Sequence, residues 1–332
     1  DVAMDAQKDR ARAAVKDESW STFGNAFAEV GKRLPGGVEF VGYSVDAAET
    51  TVAGIIVDGA SVDRVEAGSK AEIVLVSTPF YGEQGGQVGD TGVISAGSVR
   101  FAVADTRIPV QGLVSHTGVL EAGVLAVGDT VLAEIDVARR ERIRRNHTAT
   151  HILHWGLRNV LGEHVHQSGS LVTPERLRFD FTHFEAPGIE QLEKVERLVN
   201  AKIMENHPVR NYETSLASAR EMGVTALFGE KYGDVVRVLE VGNFSKELCG
   251  GTHVGRSTEI GFLKIVSEGS VGANLRRIEA VTSYGALEFV HAEEATLAEL
   301  AGSLKVRTAE LPGKVEALQR KLKDAEVALA EA

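Results

Sequence analysis

Hydrophobic and polar positions follow three different rhythms along the chain. Between residues 36 and 135, short β-branched runs at 51–57, 71–76, 99–103 and 131–135 alternate with Gly and Asp turns. This stretch holds 16 of the 35 glycines, and Asp58-Gly59 is a hairpin signal, so the spacing predicts a small β-barrel or sandwich. From 138 to 161 the period switches to that of a helix. A mixed region follows, with a strand at 177–181 and a helix at 189–205 bracketed by Pro187-Gly188 and His207-Pro208. Further strands are predicted at 235–241, 261–267 and 276–281. From 286 the chain reads as helical, with a break at Pro312-Gly313.

The two ends carry helical patterns as well. Residues 2–16 (VAMDAQKDRARAAVK) read as the middle of a charged helix. Near the other end Leu311, Val315, Leu318, Leu322, Ala325 and Leu329 repeat at alternating spacings of 4 and 3, an a/d heptad seam. Neither helix shows a cap, and both ends read as cut, which predicts a piece of a longer protein. The fold class is therefore α+β and multidomain. The expected division is a helical piece at 1–35, a β-barrel at 36–137, a mixed α+β domain at 138–285 and a coiled-coil-like arm at 286–332. The arm's seam offers a surface for oligomerisation.

Composition narrows the class. With 43% hydrophobic and 25% charged residues, the chain is ordinary for a globular protein rather than a disordered one. The absence of any run of about 18 apolar residues predicts no membrane-spanning helix. No signal-peptide pattern opens the chain. The single cysteine, Cys249, leaves no internal disulfide and is compatible with a reducing cytoplasm. A net charge of −11 argues against a broadly basic nucleic-acid surface. It leaves one local patch, Arg139, Arg140, Arg142, Arg144 and Arg145, which reads equally as a solvated helix start.

Candidate chemistry comes in two halves. His147 and His151 are four apart on the predicted helix, so they share a face about 5–6 Å apart and can converge on one metal ion. The zinc-protease version of this spacing has Glu after the first His, and here Thr148 stands there. Nearly 100 residues later comes Cys249-Gly-Gly-Thr-His253. Cysteine and histidine are preferred zinc ligands, and two glycines let a loop bring them together. Either half alone reads as packed or surface side chains. Together they supply four ligands: His147, His151, Cys249 and His253.

On these residues the sequence resembles the editing region of bacterial alanyl-tRNA synthetases. The matching stretches are Arg144-Arg-Asn-His-Thr-Ala-Thr-His151, His166-Gln-Ser-Gly-Ser-Leu-Val172, Leu177-Arg-Phe-Asp-Phe181, Ala226-Leu-Phe-Gly-Glu-Lys-Tyr232, Glu247-Leu-Cys-Gly-Gly-Thr-His253 and Arg276-Arg-Ile-Glu-Ala280. Upstream, Thr78-Pro-Phe-Tyr-Gly-Glu-Gln-Gly-Gly-Gln-Val-Gly-Asp90 resembles the barrel that precedes that region. Residues 4–14 resemble the end of the family's tRNA-recognition helices, and the heptad tail the start of its C-terminal domain.

The resemblance implies a zinc-containing editing domain at 138–285, which hydrolyses serine or glycine wrongly attached to alanine-specific tRNA at its acceptor end. It implies Zn2+ at the four ligands. No phosphate loop or aminoacylation motif is recognisable, so deacylation without aminoacylation is expected. Within that frame, backbone N–H groups of Gly250 and Gly251 are candidate oxyanion donors. Thr148 and Gln167 are candidate readers of the serine hydroxyl. The alternatives for those two are a hydroxyl bonded back into its helix and an amide bonded to backbone. Ser170 lies in the same loop as Gln167. Lys231 is a candidate contact to the substrate end of the tRNA, and Arg276 and Arg277 are candidate phosphate contacts. His154, His164, His166 and His183 read as supporting residues, and Gly85-Gly86 as turn architecture. Other readings stay open: a free-standing deacylase, the editing domain of threonyl-tRNA synthetase, and a non-catalytic tRNA-binding module with structural zinc.

Overall fold

The computed structural model describes residues 18–225 and 233–331. The charged stretch 2–16 and the whole of the matched stretch 226–232, Lys231 included, lie outside the described residues.

Six strands close a barrel: β1 (Ala47–Val57), β2 (Lys70–Leu75), β3 (Gly92–Ala96), β4 (Val99–Val110), β5 (Leu113–Ala122) and β6 (Thr130–Ile135). The order is β6-β3-β4-β5-β2-β1, and antiparallel pairing of β6 with β1 completes the ring. Of the two all-β forms that the turn spacing allowed, the barrel is the one formed. Inward residues such as Ile55, Ile73, Phe80, Ile94, Phe101 and Leu120 fill it. Asp58 and Gly59 both have positive φ, as the Asp-Gly hairpin between 51–57 and its return strand requires. Helix α1 (Glu18–Arg33) lays Ala26, Phe27 and Val30 across the outer face on Ala53, Ile56 and Val74.

β3 and β5 have no counterpart in the sequence reading. In β5 the buried positions include Ser115 and His116, so the apolar alternation is broken inside the strand. Both are satisfied: Ser115 Oγ donates to Glu72 at 2.7 Å, and His116 bonds Ile73 O and Thr78 Oγ1, each at 2.7 Å.

Helix α2 (Val137–Leu161) leaves the barrel from its N-cap Asp136, which accepts from Arg139 N. It packs into a second core with a four-stranded antiparallel sheet, β7 (Gln167–Val172), β8 (Leu177–Thr182), β13 (Leu275–Thr282) and β12 (Leu263–Gly272), in that order. Helix α3 (Ile189–Met204) closes this core with Val195, Val199 and Ile203 against Ile152 and Leu153. A three-stranded sheet, β9 (Val209–Ser215), β10 (Val235–Val241) and β11 (Ser245–Leu248), lies on its other flank, with the short α4 (Leu216–Glu221).

Helices α5 (Ser283–Leu304) and α6 (Leu311–Glu331) end the described chain. The break between them is not at Pro312-Gly313. Lys305 turns left-handed, with φ of 54°, and a 3-10 turn spans Thr308–Glu310. Pro312 and Gly313 fall in the first turn of α6, where a proline has no intrahelical N–H bond to lose. On α6 Leu311 is buried, while Val315, Leu318, Leu322 and Leu329 are exposed. Among the described residues no helix is long and apolar enough to cross a membrane.

Candidate metal centre and pocket

The long helix α2 carries His147, His151 and His154 toward the three-stranded sheet. The loop after β11 carries Cys249 and His253 back toward them. The ligand atoms of His147, His151, Cys249 and His253 all lie within 4.8 Å of one another, a group able to hold a metal ion. Cys249 Sγ is 3.4 Å from His147 Nε2 and 3.3 Å from His253 Nε2.

Each histidine is turned the same way by a partner on its other nitrogen. Gln87 Oε1 accepts from Thr252 N–H at 2.9 Å, so it also accepts from His147 Nδ1, 2.8 Å away. Glu247 accepts from His151 Nδ1 at 2.6 Å and from His154 Nδ1 at 2.9 Å. Thr148 Oγ1 donates to Arg144 O and accepts from Val254 N, so the proton shared with His253 Nδ1, at 3.2 Å, is the imidazole's. All three rings therefore keep Nε2 for the centre. Among the described residues, His151 Nε2 is buried without a hydrogen-bond partner.

Charge follows the same plan. Burial pushes the Cys249 thiol up, but His147, His253 and His151 outweigh it and hold the pKa well below the ordinary thiol value. Burial and His147 bring His253 down to about 3, against the thiolate's pull. Burial lowers His151, yet Glu247 and Cys249 raise it to about 10. Burial raises Glu247, and its two imidazole partners bring it down to about 2.

The Cys249–His253 loop is held tightly. Arg237 donates to Gly251 O at 2.7 Å and stacks 3.7 Å over the Tyr43 ring, whose hydroxyl donates to Gly250 O. A Cβ on Gly251 would sit 2.1 Å from His147 Cε1 and 2.9 Å from Gln87 Oε1. Only glycine lets the loop pass this close to the imidazole.

Beside the four ligands lies a cavity of about 270 Å³. It is lined by Gln167 and Ser170 of β7, Gly250 and Gly251 of the ligand loop, Thr150 of α2, and Tyr81, Gln84 and Gly85 of the barrel. Thr148 is not among its walls. It is buried, and its hydroxyl is bonded back into α2 and to His253. Gly251 N–H is directed at Cys249 Sγ, 3.4 Å away, rather than at the cavity. Arg276 and Arg277 lie on β13, each in a two-bond ion pair, with Glu268 and Asp180 respectively. Neither lines the cavity.

Four of the five arginines of the patch are likewise built into the fold, while Arg142 is exposed. Arg140 is fully buried against Asp90, Arg139 donates to Gly89 O at 2.7 Å, Arg144 pairs with Glu141, and Arg145 donates to Glu259 O. The sequence reading missed Thr150, although it lies three residues from His147 on the same helix face. It also missed Glu247, two residues before the cysteine, and Gln87, for which no local pattern gives a signal.

Comparison with known proteins locates these features. Residues 1–139 match the family described as tRNA synthetases class II (A), and residues 236–279 match the threonyl and alanyl tRNA synthetase second additional domain. The chain is 47% identical to an alanine–tRNA ligase of Pelotomaculum thermopropionicum over 324 residues, 98% of this chain. It is also 47% identical to those of Bordetella petrii, over 100% of this chain, and Halorhodospira halophila, over 98%. In each case it spans 37% of the relative's length.

Proposed function

The chain belongs to the alanine–tRNA ligase family, and we propose that it serves as that family's proofreading part, hydrolysing the ester of serine or glycine misattached to alanine-specific tRNA. The observation that carries this reading is the convergence of four donors, His147, His151, Cys249 and His253, beside a small cavity with polar side chains in its walls. The match at 236–279 to a domain shared by threonyl and alanyl enzymes supports it.

The donor set fits zinc. A thiolate and imidazole nitrogens are its preferred ligands. Tetrahedral bonds of about 2.0–2.3 Å put neighbouring donors roughly 3.3–3.6 Å apart, close to the 3.3 and 3.4 Å separations around Cys249 Sγ. The unpartnered, buried His151 Nε2 completes the argument. A bound zinc ion supplies positive charge that polarises a carbonyl oxygen brought beside it.

This chain's own residues do the selecting and positioning. The terminal ribose and its amino acid enter between β7 and the Cys249–His253 loop. Gln167 and Ser170 offer polar atoms to a serine hydroxyl; an alanine methyl would fill that space and leave them unpaired, the stronger kind of discrimination, whereas glycine leaves room for a water to bond them. Thr150 lines the cavity from α2, where its hydroxyl donates to Asn146 O at 2.8 Å and its oxygen can still accept. Arg237 and Tyr43 fix the loop that forms the opposite wall, so the cavity keeps its shape. Cytoplasmic tRNA is the partner on this reading.

A second reading has one observation in its favour: four protein ligands make the closed set usual for structural zinc. The chain would then bind tRNA without turnover. Hydrolysis of seryl-tRNA and alanyl-tRNA, both on alanine tRNA, separates the two, with Cys249→Ala as control and zinc quantified in each. Serine-selective turnover lost in the variant is the expected result. A folded, zinc-loaded chain that binds tRNA and leaves the ester intact would overturn the hydrolase.

A further inference from the structure

The cavity's barrel-side wall is part of a loop, residues 79–90, that also reaches the metal ligands. The loop is closed at its base, where Asp90 N donates to Tyr81 O at 3.0 Å and Tyr81 N donates to the Asp90 carboxylate at 2.6 Å. Arg140 grips both ends at once, donating to Pro79 O and to Asp90, each at 2.9 Å. Arg139 adds a bond to Gly89 O at 2.7 Å. Further along, the loop runs beside β7: Val172 N donates to Gly86 O at 2.7 Å, and Val88 N donates to Val172 O at 3.1 Å. A Cβ on Gly86 would lie 2.5 Å from Ser170 O, and its φ is +82°, so this approach needs glycine. The loop is thereby fixed to α2 at Arg140 and to the sheet at Val172, and Gln87 sits between the two anchors.

Gln87 is fully buried. Its amide oxygen accepts from His147 Nδ1 at 2.8 Å and Thr252 N at 2.9 Å, while its Nε2 donates to Thr252 Oγ1 at 3.0 Å. Thr252 is the residue before the ligand His253, and His147 is seven residues past Arg140 on α2, two turns along one face. One barrel side chain thus touches one ligand on the helix, His147, and the loop that carries Cys249 and His253. We infer that Gln87 is a positioning residue that completes the metal centre from the barrel, fixing the His147 tautomer and the Cys249–His253 loop so that Nε2 and the thiolate face one point. The inference rests on the proposed zinc reading. Outer partners of this kind typically set metal affinity by about 10–100-fold.

The test is zinc affinity of the whole chain, by competition with a chromophoric chelator, for wild type, Gln87→Asn, Gln87→Met and Gln87→Glu. Cobalt(II) absorption spectra report ligand geometry, and unfolding of the metal-free forms reports the fold. Asn withdraws the oxygen by one methylene, and Met fills the space without an acceptor. Both should bind zinc about 10–100-fold more weakly, with an altered cobalt spectrum and an unchanged metal-free melting temperature. Glu keeps an oxygen that accepts from both His147 and Thr252, and should restore affinity to within a few-fold. If Met does not fold, Asn carries the comparison. Wild-type affinity in a folded Asn variant overturns the role of Gln87 and leaves the zinc reading intact. A wild type that binds no zinc overturns both.

Discussion

Asp90 and Arg140 form an ion pair with no solvent on either side: the Arg140 side chain is fully buried, and its Nε lies 2.9 Å from both carboxylate oxygens. Its two terminal nitrogens reach Gly42 O and Pro79 O, so each guanidinium nitrogen takes part in holding the barrel to α2. Removing one partner strands a buried charge. Asp90→Ala should destabilise the chain by about 3–5 kcal/mol. Replacing both partners with apolar residues of similar volume should cost much less. Denaturant unfolding of the single and double variants checks this. Equal losses in both would mean that packing, not the stranded charge, sets the cost.

Glu247 stands behind His151 as Gln87 stands behind His147, and it also holds His154. Its carboxylate keeps His151 Nδ1 protonated and Nε2 directed at the centre. Glu247→Leu removes the acceptor from two buried imidazoles, and zinc affinity should fall about 10–100-fold. Glu247→Gln keeps one oxygen for one of the two histidines and should fall between. Zinc retained at wild-type affinity in a folded Leu variant would show that the helix alone sets the ligand direction.

These two braces also show where the sequence stops being readable. His147 and His151 are visible because i, i+4 is a local rule, and Cys249 with His253 because they stand only four positions apart in one loop. Their supports come from 60 and 96 residues away, and nothing local marks them. Gln87 lies in a glycine-rich stretch that reads as turn architecture, and it is also a turn. Thr148 sits beside a ligand, so adjacency suggested a substrate contact. The helix periodicity instead turns it inward and brings Thr150 to the cavity. The barrel was legible from its turn spacing, while β5 was hidden by the buried Ser115 and His116. The arginine cluster was legible as charge but not as bracing, because its acceptors are mostly backbone carbonyls and acids of distant segments.

His116 gives the barrel an acid sensitivity. Its Nδ1–H donates to Ile73 O at 2.7 Å, so the neutral ring accepts from the Thr78 hydroxyl at Nε2. Burial, only partly offset by the bond to Ile73, lowers its pKa from 6.5 to about 4. Protons bind the unfolded chain more readily, so this contribution to stability is complete above pH 6.5 and is lost as pH falls toward 4. A depression of this size is worth about 3 kcal/mol. His116→Gln should show a shallower loss of stability across that window, by up to about one proton. Urea midpoints measured from pH 7 to pH 4 check it. Parallel curves for wild type and variant would assign the acid sensitivity elsewhere.

Gln167 begins β7 on the cavity wall, opposite the Cys249–His253 loop. On the proposed reading its amide bonds the serine hydroxyl, so selectivity rests on what happens when that hydroxyl is missing. A site that bonds a hydroxyl penalises the analogue lacking it through unpaired polar groups, whereas an apolar pocket separates such pairs only by about 100-fold or less. Gln167→Leu keeps the volume and removes the polar atoms. Seryl-tRNA hydrolysis should then fall by about 10–100-fold, while glycyl-tRNA, which offers no hydroxyl, should lose much less. Zinc content should stay at the wild-type level, since Gln167 is not one of the four clustered donors. Gln167→Trp should slow both substrates, because it fills the cavity. The comparison of seryl with glycyl rates under single-turnover conditions therefore distinguishes lost recognition from lost space. An equal drop for both substrates in the Leu variant would assign Gln167 to shaping the wall, and the hydroxyl would then be read by Ser170 or Thr150 on the same surface.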